Sequence, residues 1–502
     1  MAGGSGLCPV GPGRHHGGYF GRQHMEESQA ESSFLSGRAG LLAGVILAGA
    51  TAVVVGFELH ALALIPFAAL VVFWALYHLD SLLLAVVAIT PLSVALKESD
   101  FNVGLSLPAE VMLAGLTLFA FLRFLHQGRL PWPSLNQALT QVILLQLAWM
   151  AVTILFSEMP LVSFKAVLSR VWFIVPMYFM LGTAMEQPWV RKLILPFYAF
   201  SLGIAAIWTL SVHSQYGFSK ETSTWVMFPF YKEHTMYGMA LAFVLPWSIW
   251  ALWRKQSLVW RFIHLGLFLL LTVALVFSYT RAAWLSLVAA GAVYLVLELR
   301  ISGRQLLLIA LVAASSLWLT QDQWMRIFTK NDTVSSDNFS EHIQSASNIS
   351  TDASNLERLN RWASALRMWQ DRPHVGWGLG TYQFQYAPFQ KSSQLTFIST
   401  NGGGMGNAHS EYIGPLAELG WPGLVWVVLL IALIFRTGVG AYRRMAPGTD
   451  RSLVLVALLG QVTYWVHGLL NNFLDLDKGA VLVWMSAALI AWAGRSSAGI
   501  RS

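Results

Sequence analysis

Residues 262–299 read FIHLGLFLLLTVALVFSYTRAAWLSLVAAGAVYLVLEL, two apolar runs separated by a short polar turn at Arg281. The apolar residues are continuous, whereas the strands of an outer-membrane barrel alternate apolar and polar residues. A helix needs roughly 20 apolar residues to cross the hydrocarbon core of a membrane. Each run therefore predicts one transmembrane helix, with Arg281 at the membrane surface between the two.

The composition of the whole chain supports the same class. Of its 502 residues, 56% are hydrophobic and 11% are charged, against about 25% charged residues in an ordinary soluble domain. These values exclude a soluble globular protein, a disordered chain and a coiled coil. The single cysteine, Cys8, excludes a disulfide framework and a cysteine-based metal site. The net charge of +7 fits basic cytoplasmic loops better than nucleic-acid binding.

Apolar runs of similar size recur along the chain. They lie near 39–57, 60–78, 81–97, 107–126, 137–157, 162–184, 190–213, 234–253, 260–279, 282–299, 304–320, 415–436, 451–471 and 477–495. Several runs are short, and two are candidates for re-entrant or fused segments. We therefore predict an all-α polytopic membrane protein with about 12–14 transmembrane helices.

The basic residues predict the orientation of these helices. With the N-terminus inside, the inner loops carry many arginines and lysines and the outer loops carry few, as the positive-inside rule requires. Both termini are then cytoplasmic. The predicted segments are a disordered cytoplasmic tail (1–37), the N-terminal helices (38–320), a large outer loop (321–408), the C-terminal helices (409–496) and a second cytoplasmic tail (497–502).

The outer loop contains an amphipathic pattern. In Asn355–Gln370, NLERLNRWASALRMWQ, apolar residues recur at helical spacing. The pattern predicts a helix that lies on the membrane or over a cavity. The helix ends at DRPHVGWGLG, where Pro373 and three glycines interrupt it.

Five polar residues on the predicted outer side are candidates for chemistry. His409, in NAHSEYIGPLAELG, lies at the mouth of a helix, where it is either a base suited to neutral pH or an interfacial histidine that caps the helix. Arg281 is either a phosphate ligand or a snorkelling anchor. Arg170 lies roughly 15 Å deep, where a charge usually faces a cavity or a partner. Arg358 and Arg361 fit either a functional site or a solvated helix face.

These residues point together to a phosphate-bearing lipid. Guanidinium groups bind phosphate in a bidentate geometry, and a lipid carrier would place its phosphates at this depth while apolar helices hold its tail. Lys232, Glu233 and His234 open the eighth predicted helix on the same side and add to the cluster.

Three motifs resemble those of a known family. They are HSEYIGPLAELGWPG at 409–423, SYTRAAWLSL at 278–287 and ERLNRWASALRMWQDRPHVGWGLGTY at 357–382. Taken in chain order, 278–287, 357–382 and 409–423, around one large outer loop, they resemble the bacterial O-antigen ligase superfamily, which also contains O-antigen polymerases and protein O-oligosaccharyltransferases. The resemblance covers roughly Arg170 to Asp475.

The resemblance implies a glycosyltransferase. Direct attack at the anomeric carbon would invert its configuration, and no metal or other cofactor is expected because two or three arginines can supply the positive charge. The enzyme would act at the periplasmic face of the bacterial inner membrane and take its glycan from undecaprenyl diphosphate. His409 would activate the acceptor hydroxyl, and Arg281 and Arg358 would bind the diphosphate. Further substrate contacts are nominated at Arg170, Arg361, Lys232, His234 and Tyr412.

The acceptor is expected to be lipid A–core oligosaccharide. The histidine-centred motif favours a ligase over a polymerase, and the absence of a soluble region after the last helix disfavours a protein O-oligosaccharyltransferase. A polyprenyl-lipid or solute transporter is the competing class, although no internal repeat of the transporter type is visible. Whether Asp475 and Asp477 bind a cation stays open. The expected partners are the donor, the acceptor and membrane lipids, and no nucleic acid.

Overall fold

The computed structural model describes only part of the chain, namely residues 64–95, 106–128, 135–302, 304–305, 315, 353–396, 399 and 406–498. The chain divides into two units, residues 1–78 and 79–502. In the first unit, the described part is helix α1, Leu64–Tyr77. The predicted tail 1–37 and the predicted helix near 39–57 lie outside the described residues, as does nearly all of the run 304–320.

Helices make up almost all of the described part of the second unit. They are α2 Leu79–Ile89, α3 Ala109–Gln127, α4 Ala138–Ile154, α5 Pro160–Ile174, α6 Leu181–Ala184, α7 Pro188–Ser214, α8 His234–Trp253, α9 Leu258–Phe277, α10 Arg281–Glu298, α11 Ala353–Asp371, α12 Tyr382–Gln385, α13 Ile413–Arg444, α14 Thr449–His467 and α15 Asp477–Ala498. A π turn, Val175–Met180, joins α5 to α6. Two short strands, β1 Val94–Ala95 and β2 Ser106–Leu107, pair antiparallel.

Eight helical stretches of the described chain are long and apolar enough to cross a membrane. They are α3, the joined α5 and α6, α7, α8, α9, α10, α13 and α15. Helices α2 and α4 are apolar but shorter, and α14 coincides with a predicted run that is less apolar. The prediction of an all-α polytopic membrane protein is confirmed. The predicted segment boundaries stay predictions.

Helix α14 is less apolar because protein rather than lipid surrounds it. It packs against α8, α10, α13 and α15. Within this environment Gln461 Nε2 donates a hydrogen bond to Ser486 Oγ of α15 at 2.6 Å, and Trp465 Nε1 donates to Gln461 Oε1 at 2.7 Å. A polar side chain inside a membrane protein is tolerated when neighbouring helices satisfy it. Helix α14 therefore fixes the position of the residues at its end.

Helix α11 packs on the start of α13 through a mixed face. Glu357, Arg361 and Met368 are buried, whereas Leu359 and Leu366 on the apolar stripe are 43% and 41% exposed. The sequence pattern predicted the helix and its amphipathic character. It did not identify the buried face, because that face carries charges that are paired within the protein.

Candidate active site

A short turn before α13 positions His409. Its φ of 50° lies in the left-handed region, which is uncommon for residues other than glycine but is relatively favourable for histidine. The His409 backbone N–H donates to Asn407 Oδ1 at 3.0 Å, and the backbone N–H of Tyr412 donates to Ser410 Oγ at 3.3 Å. These bonds hold the turn in place and leave the His409 side chain half-buried.

Helix α11 contacts this turn through Arg361. The buried guanidinium donates from Nε to Glu357 Oε1 at 2.8 Å and from Nη1 to the Asn407 carbonyl at 3.1 Å. One turn earlier, Arg358 is half-buried, and its Nε donates to the Leu470 carbonyl at 3.2 Å. The helix thereby joins the His409 turn to the segment that follows α14. Arg361, nominated as a substrate contact, thus already makes an ion pair within the protein.

The two arginines act electrostatically on His409. Burial is the main cause that lowers the pKa of the His409 imidazole from 6.5 to about 3, and the charges of Arg361 and Arg358 contribute to this shift while Glu357 opposes it. The imidazole is therefore neutral at physiological pH, as a proton acceptor must be.

Arg281 is the first residue of α10. The preceding Thr280 is buried and its hydroxyl donates to the His234 carbonyl at 3.0 Å. This bond places the start of α10 beside the start of α8, where His234 is half-buried and lies within the electrostatic reach of Arg358. The predicted cluster of His234, Arg281 and Arg358 thus draws on three elements far apart in sequence.

An apolar cavity of about 410 Å³ adjoins these residues. All three sequence motifs line it, together with the end of α14: Ala282, Leu285, Trp362, Ser410, Tyr412, Ile413, Val466, Leu469 and Leu470. Leu285 and Leu469 are 55% and 51% exposed, so the cavity opens to the surroundings of the helices. A predominantly apolar cavity beside a few convergent polar groups is the usual form of a ligand site.

The remaining nominated residues lie around this cluster. Tyr412 lines the cavity, and its hydroxyl donates to the Trp465 carbonyl at 2.9 Å. Lys232 is exposed just before α8 and acts electrostatically on Glu233 and Glu110. The structure therefore brings Tyr412 to the cavity wall and leaves Lys232 at the surface.

Arg170 belongs to a neighbouring network of charges. Its side chain is buried, and Nη2 contacts Asp475 Oδ1 at 2.7 Å. Its charge also acts on Glu411, which is buried, and on Glu418, which is half-buried. Arg170 thus neutralises carboxylates of the protein, as an intramembrane arginine usually does.

Glu411 was not identified from the sequence. Its Oε1 accepts hydrogen bonds from the backbone N–H of Phe473 at 2.6 Å, from that of Leu474 at 3.0 Å and from the Tyr464 hydroxyl at 2.5 Å. The Glu411 backbone N–H donates to the Gly468 carbonyl at 2.8 Å. This carboxylate fixes the segment 468–475 against the His409 turn. The only feature of the sequence that could have pointed to Glu411 is its position two residues after His409.

The glycines of DRPHVGWGLG form a tight loop against α13. Gly376, Gly378 and Gly380 all have positive φ. The Gly378 backbone N–H donates to the Glu418 carbonyl at 2.8 Å, and Glu418 Oε1 accepts from the Tyr382 backbone N–H at 3.0 Å. Glu418 therefore anchors the loop between α11 and α12 to α13.

The two aspartates of the Asp-x-Asp pattern contact different cations. Asp475 pairs with Arg170, as above, and Asp477 Oδ2 contacts Lys478 Nζ at 2.9 Å. Asp477 Oδ1 also accepts from Ser106 Oγ at 3.2 Å. Among the described residues, no group of three or more histidine, cysteine or acidic side chains is arranged to hold a metal ion.

Comparison with known proteins agrees with the three motifs. Residues 265–428 match the family model of the O-antigen ligases. The match covers about a third of the chain and contains Arg281, helix α11 and His409. It confirms the resemblance to the O-antigen ligase superfamily, a glycosyltransferase-like group of ligases and polymerases, and the apolar helices make the chain a multi-pass membrane protein. A search of curated proteins found no match.

Proposed function

We propose that this protein is an inverting O-antigen ligase. It transfers O-antigen polysaccharide from undecaprenyl diphosphate to lipid A–core oligosaccharide at the periplasmic face of the bacterial inner membrane. The observation that carries the proposal is the meeting of His409, Arg358 and an apolar cavity at one place. This combination suits a ligand that joins a charged diphosphate to a long apolar chain.

In the proposed reaction, the acceptor hydroxyl attacks the anomeric carbon of the donor sugar. The bond from that carbon to the diphosphate oxygen breaks, the new glycosidic bond forms with inverted configuration, and the hydroxyl proton passes to His409. General-base catalysis typically contributes about 10²–10⁴-fold. Arg281 and Arg358 stabilise the departing diphosphate, and such placed donors are worth about 3–4 kcal/mol each. Because guanidinium groups supply the positive charge, we propose that no metal is needed.

Donor binding also prepares the base. In the free protein the charges of Arg358 and Arg361 lower the proton affinity of His409. The negative diphosphate offsets these charges, so the imidazole becomes a stronger base once the donor is bound. This order of events keeps the base inactive until a glycan is available.

The test is transfer by the purified protein in lipid nanodiscs with the lipid-linked glycan and lipid A–core, with and without a chelator. We expect His409→Gln to lower kcat by about 10²–10⁴-fold. Arg358→Ala should raise the KM of the donor and also lower kcat, because the guanidinium is proposed to bind the diphosphate and to stabilise it as it departs. The matched control is His374→Gln, since His374 is exposed on the same outer loop and should leave both constants unchanged.

The products separate the alternatives. Glycan on lipid A–core supports the ligase. A longer lipid-linked glycan indicates a polymerase, and glycan moved across the membrane without a new bond indicates a transporter. Full activity of His409→Gln would refute the proposed role of the histidine.

A further inference from the structure

Three histidines lie within the electrostatic reach of Arg358. His234 begins α8, His409 lies in the turn before α13, and His467 ends α14. The charge of Arg358 acts on all three side chains. The sequence analysis nominated the first two, so His467 is the member of this group without an assigned role.

The His467 side chain is fully buried, yet neither ring nitrogen has a hydrogen-bond partner. Its ring packs edge-on against Phe473, with centroids 5.6 Å apart. A buried polar group without a partner is costly, and native structures rarely retain one without a reason. By contrast, the similarly buried His213 bonds through Nε2 to the Ser219 carbonyl at 2.8 Å.

His467 belongs to the short segment whose neighbouring residues form one wall of the apolar cavity. Val466, Leu469 and Leu470 line that wall. The Leu470 backbone N–H donates to the His467 carbonyl at 3.0 Å, and the Leu470 carbonyl accepts from Arg358. The unpaired imidazole is therefore held by the same short segment that positions the diphosphate-binding arginine.

We propose that His467 donates a hydrogen bond to the diphosphate of the bound donor. The proposal rests on the function proposed above and names a further donor-binding residue of that site. A phosphate oxygen satisfies the imidazole N–H that the protein leaves unpaired, and a hydrogen bond to an ionised acceptor is stronger than a neutral one. The His467 imidazole thus adds a hydrogen-bond donor from α14 to the positive charges that the arginines supply.

The decisive variant is His467→Phe. Replacing an unpaired buried polar group by an apolar ring of similar shape is neutral or stabilising. We therefore expect an unchanged or raised melting temperature together with a donor KM about 10- to 100-fold higher, because a hydrogen bond to a charged group is lost. Affinity for inorganic pyrophosphate, measured by calorimetry, should fall by a similar factor.

The matched control is His264→Phe. His264 is also buried and its Nδ1 lacks a partner, but it lies on α9 among Trp247, Trp260 and Phe200. It should leave the donor KM and pyrophosphate affinity unchanged. His467→Asn retains an N–H donor and should fall between the wild type and His467→Phe. If the phenylalanine variant does not fold, the donor KM and pyrophosphate affinity of His467→Asn are compared with those of the wild type instead.

Two results would overturn the inference. One is a folded His467 variant with wild-type donor KM and wild-type pyrophosphate affinity, and the other is loss of stability in His467→Phe without any change in affinity. A wild-type protein that performs no transfer would refute the proposed function instead. In that case pyrophosphate calorimetry on wild type and His467→Phe still decides whether His467 binds the diphosphate.

Discussion

His409 is predicted to act as a base at pH values where a free histidine would be largely protonated. Burial, Arg361 and Arg358 lower the pKa of His409 to about 3, so the free protein keeps the imidazole neutral well below pH 6.5. The pH dependence of kcat/KM reports the pKa values of the free enzyme. The decline of kcat/KM towards acidic pH should therefore not be centred near pH 6.5. Rate measurements from about pH 5 to about pH 8 check this, since that interval spans the ordinary histidine pKa.

The same shift predicts a change in stability. Between pH 6.5 and about 3 the unfolded chain binds a proton at residue 409 that the folded protein excludes. The contribution of His409 to the free energy of unfolding is therefore complete above pH 6.5 and declines as the pH falls through this window. The melting temperature of His409→Gln should fall less on acidification than that of the wild type. Equal declines of the melting temperature in the wild type and His409→Gln would contradict the lowered pKa of His409. A decline of kcat/KM centred near pH 6.5 would contradict it as well.

Glu411 is predicted to position the site without touching the substrate. Glu411→Leu leaves two buried N–H groups and the Tyr464 hydroxyl without their acceptor and should cost about 3–5 kcal/mol. Glu411→Gln retains an acceptor oxygen and should cost less. Melting temperature and kcat should both fall in the order wild type, Gln, Leu. A leucine variant as stable and as active as the wild type would contradict this role.

At the level of elements, the loop between α11 and α12 needs glycine. Gly376 has a φ of 67°, and a Cβ there would meet the backbone of Glu418. Gly376→Ala should therefore lower stability by more than about 1 kcal/mol and reduce transfer, because α11 carries Arg358. The control is Gly115→Ala in α3, where a Cβ meets nothing within 4 Å and alanine should be neutral or stabilising by up to about 1 kcal/mol. Equal melting temperatures for the two variants would refute the argument.

The elements were largely predictable from the sequence, whereas their contacts were not. The turn at Arg281 between α9 and α10 and the end of α11 near Pro373 follow from local apolar periods and helix breakers. The partners of Glu411 lie 62 and 63 residues further along the chain, so no local pattern reveals them. Arg170 was predicted to face a partner, but the sequence did not identify Asp475 as that partner.

Across the part of the molecule that the structure describes, most of the long helices followed from hydropathy, and α14 is an informative exception. Helix α14 is polar for a membrane helix because five other helices, α7, α8, α10, α13 and α15, pack against it. Its polar end carries His467, which the sequence analysis did not nominate. Hydropathy measures lipid exposure, so it cannot distinguish a helix buried in protein from a weak membrane span.

The predicted topology places the His409 side outside and the basic end of α13 inside. We expect Gln394→Cys, in a Cys8→Ser background, to react with a membrane-impermeant maleimide in intact spheroplasts. Lys255→Cys, between α8 and α9, should react only after permeabilisation. Both sites are exposed, so each controls for the accessibility of the other. The reverse pattern would contradict the proposed orientation.

The most direct measurement is a structure of the protein with undecaprenyl diphosphate bound. The account predicts phosphate oxygens within hydrogen-bonding distance of Arg281 or Arg358, the prenyl chain in the cavity beside Leu285 and Leu469, and His409 facing the space next to the diphosphate. A diphosphate bound elsewhere, with His409 separated from it by packed protein, would contradict the account.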